Sequence, residues 1–243
     1  MNTNAAVMKE KTPTEQLVLI ESLSKKRGFL NYLFIKRIAD ICMSLFVLFF
    51  SLPLTAILAV LVKLESKGPV FYTQTRVGQN GQLFKVYKLR TMFTNTESEG
   101  GGARTLEDDP RITKIGNLIR KSSFDEFPQF FNILKGDMSY IGPRPLSLEE
   151  HNLIIAGFIK EDTLIPRGIF HRVKPGLTGW TLLHRREKIT YKNRFKFNAE
   201  YEDKISLLFD LKIFFLTFKK YMFTNLCVIG LFIIAVISIF VFK

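Results

Sequence analysis

Polar and apolar positions change their period several times along the chain, and each change marks an element. From Ile41 to Val62 no charge interrupts a run of roughly 22 residues, long enough as a helix to cross a hydrocarbon core. Lys36 and Arg37 flank it on one side and Lys63 and Lys67 on the other. Basic residues mark cytoplasmic flanks, so their presence at both ends conflicts with a simple crossing. Pro53 removes a backbone hydrogen bond in mid-run and kinks a helix there. Two readings stand at this point: an ordinary kinked transmembrane helix, or a helix that dips in, bends at Pro53 and returns to the same face. The second requires internal partners for the broken backbone, such as the Ser51 hydroxyl. Asp40, at the edge of the run, is placed to pair with Arg37 across a helical turn.

The period then shortens to two. Val70 to Thr73 and Leu83 to Leu89 read as strands joined through Asn80-Gly81, a strong hairpin turn signal. The hairpin carries Arg76, Lys85, Lys88 and Arg90, as either a solvated charged face or a binding surface. Residues 94–105, with Glu97, Glu99 and Gly100-Gly101-Gly102, read as a linker or a lid. A short basic helix from Ile112 to Lys121 follows the Asp109-Pro110-Arg111 turn.

Helical spacing resumes with Phe124, Phe127, Phe130, Phe131 and Leu134. Ser123 and Glu126 have capping-box spacing, so a helix is expected to begin at Phe124 with Asp125 and Glu126 in its first turn, where unpaired N–H groups favour negative charge. These acids either merely cap the helix or supply a nucleophile or metal ligand, with Arg120 and Arg144 gripping an anionic substrate. Taken alone, the stretch does not decide. Another helix with an acidic start, at Ser147, Glu149 and Glu150, leads to Pro166 and a turn-rich, basic segment from Arg172 to Trp180. One amphipathic helix is expected over Asn193 to Phe223, lying in a membrane interface or packed in a core, before an apolar run from Leu226 to Phe242. The first thirty residues lack a signal-peptide pattern and read as a mobile arm with a short amphipathic helix near Pro13 to Leu23.

Composition narrows the function. The formal charge of +13 calls for an anionic partner: nucleic acid, acidic lipid or phosphorylated substrate. With 24 Phe against 1 Trp the aromatic content suits an apolar phase better than base stacking, and nucleic-acid binding would leave the apolar runs unexplained. Cys42 and Cys227 lie within apolar runs and read as small hydrophobes in a reducing compartment. His151, His171 and His184 have no metal-ligand spacing.

Together these residues resemble the bacterial sugar transferases, monotopic polyprenyl-phosphate phosphoglycosyl transferases that initiate surface-glycan assembly. The resemblance runs from Lys36 to about Phe218 through KRIAD, GPVFYTQTRVG, FKVYKLRTM, DPRITKIGNLIRKSSFDEFPQFFNILKGDMSYIGPRP, VKPGLTGW and LLFDLKIFFLT. It implies an α+β, mostly helical fold: a re-entrant membrane helix (36–67) bent at Ser51 and Pro53, and a cytoplasmic catalytic domain with a β-hairpin and interfacial helices (68–223); the arm (1–35) and the hydrophobic C-terminal membrane segment (224–243), read as a transmembrane anchor or a membrane-packed helix, lie outside it. It implies a location at the bacterial inner membrane, facing the cytoplasm. The activity implied is transfer of a sugar-1-phosphate from a UDP-sugar to polyprenyl (undecaprenyl) phosphate with release of UMP. Asp125 would be the nucleophile beside Mg²⁺, with Glu126 assisting; Arg120, Arg144, Pro143 and Lys88 would bind substrate. Membrane lipids are the other expected partner, with a homodimer as a further option and nucleic acid excluded. The alternative is a catalytically inactive membrane-anchored scaffold in polysaccharide assembly. Two departures stand out: Leu52 separates Ser51 from Pro53, and Thr181-Leu-Leu-His-Arg-Arg-Glu follows the Gly-Trp pair, so sugar preference is not carried over.

Overall fold

A computed structural model describes residues 27–94, 109–155, 172–184 and 191–220. Residues 1–26 of the arm, residues 95–105 of the glycine-rich loop, Pro166, His171 and the C-terminal apolar run lie outside the described residues.

Helix α1, Arg27–Glu65, is 39 residues long and contains Pro53. It begins upstream of the expected start at residue 36. At 1.5 Å per residue it measures about 58 Å, nearly twice the roughly 30 Å hydrocarbon core of a bilayer. One stripe of α1, including Tyr32, Asp40, Ser44, Leu48, Ser51, Leu58 and Val62, is buried against the rest of the protein. The opposite stripe is apolar and open: Phe49 is 73% exposed, and Phe34, Phe46 and Ile57 are exposed with it. This inverts the pattern of a soluble helix, whose polar face is outward. Ser51 donates to the Leu48 carbonyl at 3.5 Å and Ser44 to the Asp40 carbonyl at 2.6 Å, satisfying buried hydroxyls within the helix.

Strands β1 (Phe71–Val77) and β2 (Leu83–Leu89) form the expected hairpin, with β1 longer than its apolar pattern indicated. Asn80 and Gly81 both take positive φ (53° and 78°), as a tight hairpin turn requires. Strand β4 (Leu146–Ser147) adds to β1, giving an antiparallel sheet of order β2-β1-β4. Helix α2 (Lys114–Ser122) is capped by Thr113, whose hydroxyl accepts from the Gly116 N–H. A 3₁₀ turn (Phe124–Glu126) and helix α3 (Gln129–Lys135) then lead to β3 (Ser139–Ile141). Asn132 of α3 accepts from Tyr87 N–H and donates to the Lys85 carbonyl, fastening α3 to the otherwise open edge of β2.

Helix α4 (Leu148–Ile155) carries the true capping box: the Ser147 hydroxyl accepts from Glu150 N–H, while the Glu150 carboxylate accepts from Ser147 N–H. Strand β5 (Gly176–Thr178) runs parallel to β3. Its Gly176 passes so close to Gly142 that a Cβ would sit 2.1 Å from the Gly142 nitrogen. A short helix α5 (Trp180–Leu183) precedes α6 (Tyr191–Lys204).

The long helix expected from 193 to 223 is in fact two. It breaks at Ile205-Ser206, and α7 occupies residues 207–220 with the Ser206 hydroxyl accepting from Phe209 N–H. The break turns Asp210 inward, where it accepts from Tyr32 and Tyr201 and pairs with Lys36. The outer face of α7 is apolar, with Leu208 80% exposed and Phe215 and Phe218 also open.

Candidate active site

The functional side chains converge because three sequence-distant elements meet beside α1. In the hairpin register Tyr72 faces Lys88, Gln74 faces Val86 and Arg76 faces Phe84, so these six residues share one face of the sheet. That face forms one wall of a shallow open cleft, lined also by Glu126, Gln129, Arg144, Pro145, Gly176 and Leu177.

Asp125 and Glu126 stand in the 3₁₀ turn, and the local geometry differs from the expected helix start. Ser123 has φ 60°, a left-handed conformation that closes α2, and its side chain caps nothing. Pro128 explains why no helix begins at Phe124: without an N–H and with its ring against the preceding turn, it cannot occupy a helix interior and instead starts α3. The capping role for Glu126 is thereby corrected. Its carboxylate accepts from the Lys88 ammonium at 2.8 Å, and Asp125 Oδ2 lies 3.7 Å from the same nitrogen.

Lys88 thus bridges adjacent carboxylates. Burial pushes the Asp125 carboxyl up to about 6; Lys88 opposes this, Glu126 reinforces it and Arg120 opposes it. What holds Asp125 down against burial is this pair of cations, with a smaller contribution from a backbone N–H at the start of the 3₁₀ turn. Burial also lowers the Arg120 guanidinium, against the pull of Asp125. Arg120 is aimed by Thr91, whose hydroxyl accepts from its Nε at 2.8 Å.

Arg144 reaches the cleft from the turn after β3. Its backbone N–H donates to Asn198, while its guanidinium makes no hydrogen bond or ion pair among the described residues. Pro143 is buried, and its carbonyl accepts from Gly176 N–H, so it ties β3 to β5; Pro145 is the proline on the cleft wall.

Other expected pairings fall elsewhere. Asp40 does not form the anticipated hydrogen-bonded pair with Arg37. It accepts from Tyr140 N–H at 2.8 Å and Ser139 Oγ at 3.1 Å, while Arg37 donates to the Ile133 and Leu134 carbonyls at the end of α3. Arg90 is no solvated strand residue. It is 5% exposed and donates to the Val62, Ser66 and Lys67 carbonyls, closing the C-terminal end of α1. His184 contacts the Trp180 carbonyl and stacks on Phe197, a packing role.

Sequence reasoning passed over Gln129, and left Arg76 undecided between a solvated hairpin face and a binding surface. The period-two pattern was the available signal, since it places Arg76 on the same sheet face as Lys88.

No group of three or more His, Cys, Asp or Glu among the described residues could hold a metal. Two adjacent carboxylates nevertheless fit Mg²⁺, which commonly takes one or two protein carboxylates and completes its shell with substrate phosphates and water.

The bacterial sugar transferase model matches residues 31–224. The chain is 39% identical over 194 residues to the UDP-glucose:undecaprenyl-phosphate glucose-1-phosphate transferase of Escherichia coli, covering 76% of this chain and 40% of that protein. It is 41% identical over 193 residues to the UDP-N-acetylgalactosamine-undecaprenyl-phosphate N-acetylgalactosaminephosphotransferase of Aeromonas hydrophila, covering 77% and 44%. Against the uncharacterized sugar transferase EpsL of Bacillus subtilis the identity is 38% over 186 residues, covering 76% and 86%. The alignment spans less than half the length of the first two relatives and most of the third. On the extent of the family match, which spans every residue of the cleft, the chain belongs to the bacterial sugar transferase family.

Proposed function

We propose that the protein transfers a sugar-1-phosphate from a UDP-sugar to a polyprenyl phosphate, with Asp125 as the covalent nucleophile. The observation that carries this reading is the setting of Asp125: a largely buried carboxylate, 3.7 Å from Lys88, beside a cleft whose charged lining is three cations and one carboxylate. An Asp125 oxygen attacks the β-phosphorus of the donor. The bond from that phosphorus to the bridging oxygen breaks, and UMP leaves with the electron pair. A phosphate oxygen of the polyprenyl acceptor then attacks the same phosphorus, the aspartyl-phosphate bond breaks, and the Asp125 carboxylate is restored. Lys88 and Arg120 hold the nucleophile ionised, and Arg144 offsets the charge that builds on the phosphoryl oxygens, which is most of what such a transfer needs from a protein. Mg²⁺, held by Asp125 and Glu126 with donor phosphates, would supply further charge neutralisation. Polyprenyl phosphate and a UDP-sugar with the purified full chain and Mg²⁺ should yield UMP, and intact mass should reveal a phosphosugar adduct when acceptor is withheld. Absence of both from folded protein would overturn the assignment.

The acid limb of activity tests the electrostatics separately. Only ionised Asp125 attacks, so kcat/KM should fall as pH drops through about 6. Lys88→Met removes a cation that holds the carboxyl down, so this limb should move to higher pH while the maximal rate falls. An unmoved limb would mean that another group sets it.

The same proposal places both ends of α1 on the cytoplasmic face. Contacts with one domain extend from Tyr32, bonded to Asp210, to Val62, bonded to Arg90, over about 45 Å of helix. A straight crossing would put those ends on opposite sides of the bilayer, where one domain could not reach both. The outward apolar faces of α1 and α7 would then meet lipid at the inner membrane. In a cysteine-free background, Asn31→Cys and Lys67→Cys should both react with impermeant thiol reagents from the cytoplasm only. Labelling from opposite sides would establish a true span.

A further inference from the structure

Arg76 is placed at some cost. Its guanidinium donates to the Pro145 carbonyl at 3.1 Å and to Gln74 Oε1 at 2.6 Å, while its Nε is buried without a hydrogen-bond partner. Burial, and next the nearby Arg144, lower it to about 10. The nearest compensating carboxylate, Glu150, is already committed: it accepts from Arg194 at 3.0 Å in a buried ion pair and caps α4. Two guanidinium groups thus face one cleft with no carboxylate of their own, and Lys88 on the same sheet face is occupied by Glu126 and Asp125. Such an arrangement is unfavourable in the empty protein and becomes favourable when an anion enters, because each guanidinium offers a planar set of donors matched to phosphate oxygens.

We infer that Arg76 and Arg144 form a paired-guanidinium subsite for the diphosphate of a nucleotide donor, with Arg76 a direct phosphate ligand for the reaction proposed above, on whose reading this assignment rests. The geometry divides the cations between two tasks. Lys88 and Arg120 attend the Asp125 carboxylate, whereas Arg76 and Arg144 hold the phosphates that approach it. Arg76 also shares the Pro145 carbonyl with Arg194, so the loop carrying Arg144 is fixed by the same side chain that would bind ligand.

The test is UDP binding by calorimetry to the full chain in lipid nanodiscs, with heat stability measured without ligand. Arg76→Met should weaken UDP binding about a hundredfold and Arg76→Lys about tenfold, since an ammonium keeps the charge but not the planar fork. Arg76→Lys is expected to fold with a melting temperature near that of the parent. Should Arg76→Met fail to fold, Arg76→Lys carries the test, and parent-like UDP affinity in that folded variant overturns the inference. A failed function is distinguishable: UDP binding that depends on Arg76 in a protein forming no phosphosugar adduct would sustain the subsite and reject Asp125 as nucleophile.

Discussion

Asp125→Asn should abolish turnover and at the same time make the protein more resistant to heat at neutral pH. The loss, on the order of 10⁴-fold or more in UMP release, follows if no covalent bond to phosphorus can form. The gain follows from linkage. Asp125 titrates near 6 in the folded protein against an ordinary value of 3.8, chiefly because burial penalises its charged form. An acid with a raised folded pKa stabilises the fold fully below its unfolded value, and that contribution is lost as pH rises through 6. The ionised carboxylate therefore costs about 3 kcal/mol at pH 7, from the rise from 3.8 to about 6 at 1.36 kcal/mol per pKa unit, and asparagine removes the charge. At roughly 2–4 °C per kcal/mol, the variant should melt several degrees higher at pH 7, and the difference should close as pH approaches 4. Thermal unfolding at both pH values measures this. A variant less stable than the parent at pH 7 would show that Asp125 is structural, and parent-like UMP release would remove it from the reaction.

Arg90→Ala should be the most damaging substitution outside the cleft. Arg90 donates to the carbonyls of Val62, Ser66 and Lys67 and to the Ser66 hydroxyl, and it is 5% exposed. Truncation leaves the carbonyls at the end of α1 without these donors and opens space beneath Gly68. Hydrogen bonds from a charged group contribute about 1.5–3 kcal/mol each, not additively, so a loss of about 3–5 kcal/mol is expected. Lys88 lies two residues before Arg90, near the end of β2, so activity should fall with stability. Arg90→Lys should recover little, because one ammonium cannot reach carbonyls arranged around a planar fork. Chemical denaturation in detergent reads the outcome; a change below 1 kcal/mol in Arg90→Ala would mean that the C-terminal end of α1 is held by its other contacts, such as Glu65 with the Ile115 N–H.

Local chemistry made much of the fold legible. Asn80-Gly81 allows few conformations other than the tight turn found there, and the apolar run around Pro53 lies in a helix. Two Ser-x-x-Glu sequences shared one signature, and only Ser147–Glu150 uses it as a cap. At Ser123 the decisive residues were Pro128, which forbids the helix, and Lys88, 38 residues away, which claims Glu126. The first was readable locally; the second depends on tertiary placement. The break before α7 was hidden for a similar reason. An unbroken amphipathic pattern concealed that Asp210 must turn back to Tyr32, 178 residues earlier.

The candidate site divides along the same line. Adjacent carboxylates and their basic neighbours stand out in sequence, and Asp125, Glu126 and Lys88 do come together. Arg76 was obscured because a charged residue on a hairpin is ordinarily solvated; its burial depends on the turn that carries Arg144 and on the Arg194–Glu150 pair beside it.

The polar stripe on α1 also sets a timetable for synthesis. Asp40 is satisfied by Ser139 and Tyr140, which lie 99 and 100 residues downstream. At translation rates of about 5–20 residues per second, the helix exists for several seconds before those partners have been made. Throughout that interval Lys36 and Arg37 of the same helix, with water, are the groups at hand to offset the Asp40 charge. In the topology proposed above, the nascent helix would keep this carboxylate at the bilayer surface until the chain that buries it has left the ribosome.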